Sequence, residues 1–214
     1  MVQCKIMAST LKQIVQETTK QKAPGPSTSY TPFHIFCALE LIAKEPLGRN
    51  KLAEKLSVGD GAVRTIINRL KEADLILTSK EGCILTPKGQ ETWRKFEEFF
   101  PKRAEIPKNE LTISEYNYAF LVKNCGDKVK SGIDQRDAAI IAGAKRAIVI
   151  VSNNGHLRIE SVSESVEKDY PRAASQILKQ IMPQNNDVVI IAGADSPLKA
   201  KIGAFAASWS LLEP

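Results

Sequence analysis

The sequence predicts a two-domain α+β protein. Its 214 residues are enough for two small domains, and proline-rich breaks at 22–32 and 100–110 interrupt the chain. Helical hydrophobic periodicity dominates before the second break. After it, β-prone runs alternate with helices, which predicts an α/β layer domain with a mixed sheet. The predicted division is a leader helix and linker at 1–29, a first domain at 30–103 and a second domain at 104–214.

The composition excludes several classes of protein. Hydrophobic residues make up 43% and charged residues 25% of the chain, which is typical of a soluble globular protein. No apolar run is long enough to span a bilayer, and the amino terminus lacks a secretory signal, so we expect a cytoplasmic protein with no membrane contact. Neither histidine lies at metal-ligand spacing from a cysteine. The cysteines stand singly, at Cys4, Cys37, Cys83 and Cys125. We therefore expect no metal site, no cofactor and no catalytic residues.

Basic residues are concentrated in the first half of the chain. Residues 1–105 contain 17 Lys and Arg against 12 Asp and Glu, whereas residues 106–214 contain 13 against 12. The net charge is therefore +5 in the first half and +1 in the second. Because neutralisation of phosphates supplies most non-specific affinity for nucleic acid, this asymmetry favours a polyanion as the partner of the first domain.

The first domain is predicted to contain three helices, a hairpin and a final helix. In the leader before it, Leu11, Ile14 and Val15 have the spacing of an amphipathic helix. Proline and glycine at 46–48 separate the first two helices of the domain. The predicted elements are helices at 33–45, 49–56 and 61–72, strands at 75–79 and 83–86 around a charged turn, and a helix at 88–100.

The predicted helix at 61–72 has two different sides. Four apolar residues recur at the i, i+3, i+4, i+7 spacing and form one stripe: Val63, Ile66, Ile67 and Leu70. The opposite side carries small and polar residues, namely Gly61, Arg64, Thr65, Asn68 and Arg69. Asp60 is predicted as the N-cap, since its carboxylate can accept the free amides of the first turn. This helix therefore has one side for packing and one side for recognition.

The motif NKLAEKLSVGDGAVRTIINRLKEADLI, followed by LTPKG, resembles the winged helix-turn-helix core of many prokaryotic transcriptional regulators. A recognition helix needs an apolar side that anchors it and a polar side that reaches base edges in the major groove. We therefore predict that double-stranded DNA is the partner of the first domain. The predicted contacts are Gly61, Arg64, Thr65, Asn68 and Arg69 on the helix, with Arg49, Lys51, Lys80 and Lys88 binding phosphates. Solvated surface charges, or a winged domain that binds protein, are the alternatives.

The second domain is predicted to follow the order β-α-β-β-α-β-α. A strand at 115–124 precedes a helix that opens at SGIDQRD, residues 131–137. Two strands then flank Asn153-Asn154-Gly155, because Asn-Gly suits a type I′ hairpin turn. An amphipathic helix at 170–183, an apolar strand at 187–194 and a helix with proline in its first turn complete the domain.

Two helix entrances of this domain are candidate binding sites for a small anionic metabolite. Backbone amides at a helix N-terminus can hold a phosphate or carboxylate. The candidates are Ser131, Gly132, Gln135, Arg136 and Asp137 at the first entrance and Gly193, Asp195 and Ser196 at the second. Capping by Asp134 and a surface Arg136–Asp137 pair explain the first entrance equally well.

The segments SGIDQRDAAIIAGAK and DVVIIAGADSPLKAKIGAFAA resemble the C-terminal domain of a family of archaeal transcriptional regulators, in which a winged helix precedes a domain of unknown function. The resemblance covers nearly the whole chain and implies a regulator, with no ligand to carry over. We expect a homodimeric, sequence-specific DNA-binding regulator whose second domain senses a small ligand or dimerises. Two alternatives stay open: an RNA- or ribosome-binding protein, and an enzyme acting on a small phosphorylated metabolite at Gln135, Arg136, Asp137 and Asp195.

Overall fold

The chain folds into two compact units, seen in a computed structural model that describes residues 2–20 and 30–212, with side chains from residue 9. One unit is Lys5–Glu97; the other is Glu98–Pro214 together with Met1–Cys4. The predicted α+β class is confirmed, with a helical first unit and a second unit built on an antiparallel sheet. Most of the linker predicted at 22–32 lies outside the described residues. No helix in the described ranges is long and apolar enough to cross a bilayer.

The first unit follows the order of a winged helix-turn-helix. The predicted leader helix forms α1, and the later elements lie within a few residues of their predicted bounds. Phe36 of the second helix packs against the rings of Trp93 and Phe96 on the last one, with centroids 5.5 and 5.3 Å away. The elements are α1 (Val2–Thr19), α2 (Pro32–Lys44), α3 (Arg49–Leu56), α4 (Asp60–Glu72), β1 (Ile76–Ser79), β2 (Gly82–Leu85) and α5 (Pro87–Phe99).

The wing is the antiparallel hairpin of β1 and β2, in register from Ile76↔Leu85 to Ser79↔Gly82. Leu47, between α2 and α3, adds a third element by exchanging two backbone hydrogen bonds with Cys83 (2.8 and 3.1 Å). Gly82 has a φ of +129°, and a Cβ there would overlap the backbone of Leu47. Glycine therefore allows the hairpin to lie against this segment at the start of α3.

The second unit is a five-stranded sheet with helices on both faces. The strand order is β3-β4-β7-β5-β6. Phe120 packs on Phe205 on one face, with ring centroids 6.0 Å apart, while Ala119 and Leu121 join the Ile177 side on the other. The elements are β3 (Arg103–Glu105), β4 (Tyr116–Val122), α6 (Ile133–Ile141), β5 (Arg146–Asn153), β6 (His156–Arg158), α7 (Val166–Asp169), α8 (Pro171–Gln180), β7 (Val188–Ala194) and α9 (Pro197–Ser210).

The sheet differs from the predicted mixed sheet, since every pairing in the described ranges is antiparallel. β4 and β5 are joined through a helix and run in the same direction, as a βαβ connection predicts. However, β7 lies between them and pairs antiparallel with both. The last strand to enter the sheet thus separates the two parallel strands, an order that local patterns along the chain do not encode.

The break at 100–110, predicted as a hinge, contains the edge strand β3, in which Arg103 lies opposite Phe120 and Glu105 opposite Tyr118. Pro101 and Pro107 flank the strand. Short length, charge and proline are common features of edge strands because they discourage pairing with another chain. The same composition therefore fits both a linker and an edge strand.

Candidate nucleic-acid interface

α3 and α4 are joined by a tight turn that begins at Ser57. Ser57 is in the left-handed conformation (φ 54°), and its N–H donates to the Glu54 carbonyl at 3.0 Å. Gly59 is the N-cap of α4, so the prediction of Asp60 as N-cap is wrong by one position. The Asp60 carboxylate is instead held by two arginines, with Arg49 Nε at 3.3 Å and Arg64 Nη2 at 3.0 Å. Asp60 is thus the first residue of α4, and its carboxylate pairs with arginines.

The predicted packing side of α4 is confirmed. Val63, Ile66, Ile67 and Leu70 are all buried, together with Ala62. These residues lie on one side of an amphipathic helix and fix it against the rest of the unit. The opposite side of α4 therefore remains at the surface.

Four of the five predicted reading residues lie together on this exposed side. Gly61, Arg64, Thr65 and Asn68 are exposed, and they recur at the i, i+3, i+4, i+7 spacing of a single stripe. Thr65 Oγ1 donates to the Gly61 carbonyl at 2.9 Å, which holds its side chain against the helix. A Cβ added to Gly61 would have no atom within 4 Å, so the space above it is open. The stripe is about 10 Å long, which spans roughly three base-pair steps.

Arg69 is placed differently from the other four. Only 12% of its side chain is exposed, and its Nη2 donates to the Lys20 carbonyl, just after α1, at 3.1 Å. Nη1 lies 3.8 Å from the Glu72 carboxylate and has no hydrogen-bond partner among the described residues. In this structure Arg69 connects α4 to the end of α1.

Asp60 bridges the two helices of the motif electrostatically. Arg49 begins α3 and Arg64 lies in the second turn of α4, and both guanidinium groups contact this one carboxylate. All three side chains are about half exposed, so each pair stabilises the fold by about 1 kcal/mol or less. A phosphate or a guanine edge can therefore replace the carboxylate as the partner of either arginine.

The four residues predicted to contact phosphates have different surroundings. Arg49 and Lys51 line an open hollow of about 490 Å³ between the start of α3 and the wing turn, which contributes Glu81. Lys80 is exposed at the same turn. Lys88 is also exposed, but its Nζ donates to the Ala73 carbonyl at 2.7 Å, where it neutralises the C-terminal end of α4.

The two candidate ligand entrances of the second unit lie at opposite ends of α9. Gln135 is buried, and its Nε2 donates to Ser210 Oγ, at the C-terminal end of α9, at 3.4 Å. Ser196 is the N-cap of α9 and accepts the Lys199 amide at 3.3 Å. Since α9 has 14 residues, about 20 Å separates its ends. The residues of the enzyme alternative are thus divided between two places.

Residues at both entrances have structural contacts of their own. Arg136 and Asp137 pair with each other on the surface of α6, and Ser131, which precedes the helix, is also exposed. Gly132, at the N-cap of α6, has a φ of +74°, and a Cβ there would lie 3.2 Å from Val149. The predicted surface pair of Arg136 and Asp137 is therefore present, whereas the predicted capping by Asp134 is wrong, because Gly132 is the N-cap and makes no side-chain capping bond.

At the second entrance, Asp195 lies 3.1 Å from Lys199 and 3.5 Å from Lys145. The hydrogen bond from Lys199, with further attraction from both ammonium groups, lowers the pKa of this carboxyl below its ordinary value. A Cβ on Gly193 would lie 2.5 Å from Ser114 Oγ, so glycine is needed there for packing.

Comparisons with known proteins agree with the two units. The family described as "PH0730-like, N-terminal domain" matches residues 35–91, and "Domain of unknown function (DUF4443)" matches residues 113–211. A solved structure, "Hypothetical protein PH0730 from Pyrococcus horikoshii OT3", is similar with a TM-score of 0.67 and 30% sequence identity, over 86% of this chain and 93% of that chain. The chain belongs to the PH0730-like family. No curated protein matches it.

The first matched region of this PH0730-like protein contains α3, α4 and the wing, and the second runs from just before β4 to the end of α9. One family domain therefore contains the helix-turn-helix and the wing, and the other contains the sheet from β4 onward, without the edge strand β3.

Two features of this PH0730-like protein were not predicted from its sequence. Gly89 is buried where α5 begins, and a Cβ there would overlap the Leu75 carbonyl oxygen. Next to it, Thr86 Oγ1 donates to the Asp74 carbonyl at 2.6 Å and accepts the Gly89 amide at 3.0 Å. The segment Thr86-Pro87-Lys88-Gly89 thus holds α5 against the chain that leaves α4. Its Thr-Pro pair, typical of a helix start, was the available signal.

The second feature is a cleft of about 390 Å³ in the second unit. Glu105, Lys108, Tyr116, Tyr118 and Pro197 are among its lining residues. Lys201 Nζ lies 5.7 Å from the centre of the Tyr118 ring, and Glu115 raises the pKa of Tyr116. The lining comes from β3 and the segment after it, from β4 and from α9, so no continuous motif could have predicted it.

Proposed function

We propose that this protein is a sequence-specific DNA-binding transcriptional regulator that inserts the exposed side of α4 into the major groove. The observation that carries the proposal is the stripe of Gly61, Arg64, Thr65 and Asn68, which lies opposite a fully buried apolar side. Short and polar residues over about 10 Å suit a groove that is only about as wide as a helix. A helix exposed only for solubility has no need of this composition.

Each residue of the stripe has a role that its chemistry supports. Arg64 can bind guanine O6 and N7 with two hydrogen bonds, and Asn68 can bind adenine in the same way. Thr65 presents its methyl group to a thymine methyl, because its hydroxyl hydrogen is already donated to Gly61. Gly61 leaves room for a sugar-phosphate strand beside the first turn. Arg69, largely buried, keeps α4 in place.

Phosphate contacts at the start of α3 and at the wing would fix the orientation of α4 on the duplex. Arg49 and Lys51 line the hollow beside the wing turn, and Lys80 belongs to that turn. Such contacts supply affinity and register rather than base preference. The net charge of +5 in residues 1–105 supports the same assignment.

We assign dimerisation, or sensing of a small ligand, to the second unit. A single winged domain buries little DNA surface, so regulators of this kind commonly bind two half-sites as a homodimer. The basic excess of the first half and the near-neutral second half support this division of labour.

The substitution Arg64→Ala tests the proposal. We expect it to weaken binding to a duplex selected from a random library by about 1–3 kcal/mol, or roughly fivefold to 150-fold, with a smaller effect on a scrambled duplex. Fluorescence anisotropy at fixed salt measures both affinities. Arg172→Ala, which removes the same charge from the exposed start of α8, is the control and should leave the preference unchanged.

Two results would count against the proposal. Full retention of the sequence preference by Arg64→Ala would show that α4 does not read the bases. Tighter binding of a structured RNA than of the selected duplex at the same salt would favour the RNA-binding alternative.

A further inference from the structure

The outer side of α6 exposes an unusual amount of apolar surface. Ile133 is 48% exposed, Ile140 is 43% exposed and Ile141 is 87% exposed. Leu198, in the first turn of α9, is also exposed. The next residue, Lys199, lies near Gly143 just after α6, because a Cβ built on Gly143 would be 4.0 Å from Lys199 Cγ. Large exposed apolar residues grouped on one side of a helix commonly mark a site of association.

The charged residues of α6 lie between the isoleucines in a particular order. Ile133 and Ile140 are seven residues apart, so they lie two turns apart on the same side of the helix. Arg136 and Asp137 stand midway between them, on the flanks of this side. Arg136 Nε and Nη2 both donate to the same oxygen of Asp137, Oδ1, at 3.2 and 3.0 Å. The order along the helix is thus apolar, basic, acidic, apolar.

This order is self-complementary under a two-fold rotation. If the axis passes between residues 136 and 137, a second α6 lies antiparallel to the first. Ile133 then faces Ile140 of the second copy, and Arg136 faces Asp137 of the second copy. A two-fold contact requires that residue i meets residue j while j meets i, and both pairs satisfy that requirement.

We propose that α6 is the homodimerisation surface of this protein, with its Arg136–Asp137 pairs exchanged between two copies. Each Arg136 then pairs with Asp137 of the other copy instead of the Asp137 next to it. The isoleucines at both ends of α6 are covered. The proposal rests on the proposed function in one respect: it identifies the element that would join two DNA-binding units. It assigns Arg136 and Asp137 to a partner surface in place of the predicted ligand site.

The support beneath α6 suits a rigid contact. α6 packs closely on α9, since a Cβ on Gly203 would lie 2.5 Å from the Ala144 side chain and 3.4 Å from the Ala139 carbonyl. One helix pair with its flanks buries less than the roughly 800 Å² per partner of a standard interface. We therefore expect a reversible dimer that dissociates in the micromolar range.

Sedimentation equilibrium from about 1 to about 200 µM tests the surface. The wild-type protein should shift from monomer to dimer over this range. The double variant Ile140→Glu/Ile141→Glu should stay monomeric throughout. Leu178→Glu, which places the same charge on an α8 position that is 42% exposed, should dimerise like the wild type. A wild-type protein that is monomeric over the whole range would overturn the proposal.

A charge exchange tests the pairing itself and leaves the apolar surface intact. Arg136→Asp alone and Asp137→Arg alone should each weaken the dimer at least tenfold, because like charges then face each other. The double variant Arg136→Asp/Asp137→Arg should recover most of the loss. Single variants that dimerise like the wild type, or a double variant without recovery, would refute the two-fold contact. All these variants should still bind a half-site duplex with wild-type affinity, so failure of the dimer is distinguishable from failure of DNA recognition.

Discussion

Two glycines of the first unit have opposite surroundings. Gly89 touches the backbone, since a Cβ there would overlap the Leu75 carbonyl oxygen. Gly61 lies in a helix with open space beside it. Gly89 is therefore needed for packing, whereas Gly61 leaves space for a binding partner at the surface of α4.

Alanine at each position should separate these roles. We expect Gly89→Ala to lower the free energy of unfolding by about 2 kcal/mol or more, because backbone must move to admit the methyl group. Gly61→Ala should raise it by about 0.5–1 kcal/mol through better helix propensity, and yet weaken DNA binding. Urea denaturation measures the two changes in the free energy of unfolding, and fluorescence anisotropy measures the DNA affinity of Gly61→Ala. A Gly89→Ala protein as stable as the wild type would contradict the packing role.

Individual residues also show where prediction from periodicity ends. The 3.6-residue repeat places Arg69 on the polar side of α4 next to Asn68, and this side is correct for Gly61, Arg64, Thr65 and Asn68. Arg69 is nevertheless covered, because its guanidinium reaches the Lys20 carbonyl, 49 residues earlier in the chain. Periodicity assigns a side of a helix, but the neighbour that covers it comes from a distant segment.

Among the helices and strands, α3 and α4 share one charged contact through Asp60. The carboxylate lies within 3.3 Å of Arg49 and 3.0 Å of Arg64, both on the surface proposed to meet DNA. In the free protein the Asp60 carboxylate compensates the charge of the two arginines. When DNA is bound, the same carboxylate repels the phosphates. Asp60 therefore limits the affinity of this surface for any polyanion.

Removing that charge should strengthen non-specific binding. We expect Asp60→Asn to raise affinity for a scrambled duplex by about threefold to tenfold at low salt, with the gain decreasing as salt increases. Glu72→Gln, which removes an exposed carboxylate from the last turn of the same helix, is the matched control. Unchanged or weaker binding by Asp60→Asn would indicate that the carboxylate lies outside the contact region.

The helices and strands were predicted to different degrees. α3 has the bounds predicted for it, 49–56, and the Asn154-Gly155 turn has positive φ at both residues as a type I′ turn requires. β3 was missed, because three charged or small residues between prolines carry no β signal of their own. Residue spacing within a segment predicts a helix or a turn. A short edge strand, in contrast, becomes apparent only from its pairing with a neighbouring strand.

Across the whole chain, the α+β class followed from the sequence, but the arrangement of strands did not. β5 and β7 are both largely apolar strands, so their composition does not tell which of them pairs with β4. In the structure β7 lies beside β4. The two groups of candidate ligand residues likewise have similar residue types, but they lie at opposite ends of α9. Long-range order of this kind depends on packing between segments, which single-sequence patterns do not record.

The central claim is that α4 reads base sequence, and selection of duplexes from a random library by the full-length protein tests it most directly. We expect an enriched motif, and a repeated selection with Asn68→Ala should change the preference at one base position while the rest of the motif stays the same. Absence of any enriched motif, or an identical motif for Asn68→Ala, would contradict the claim.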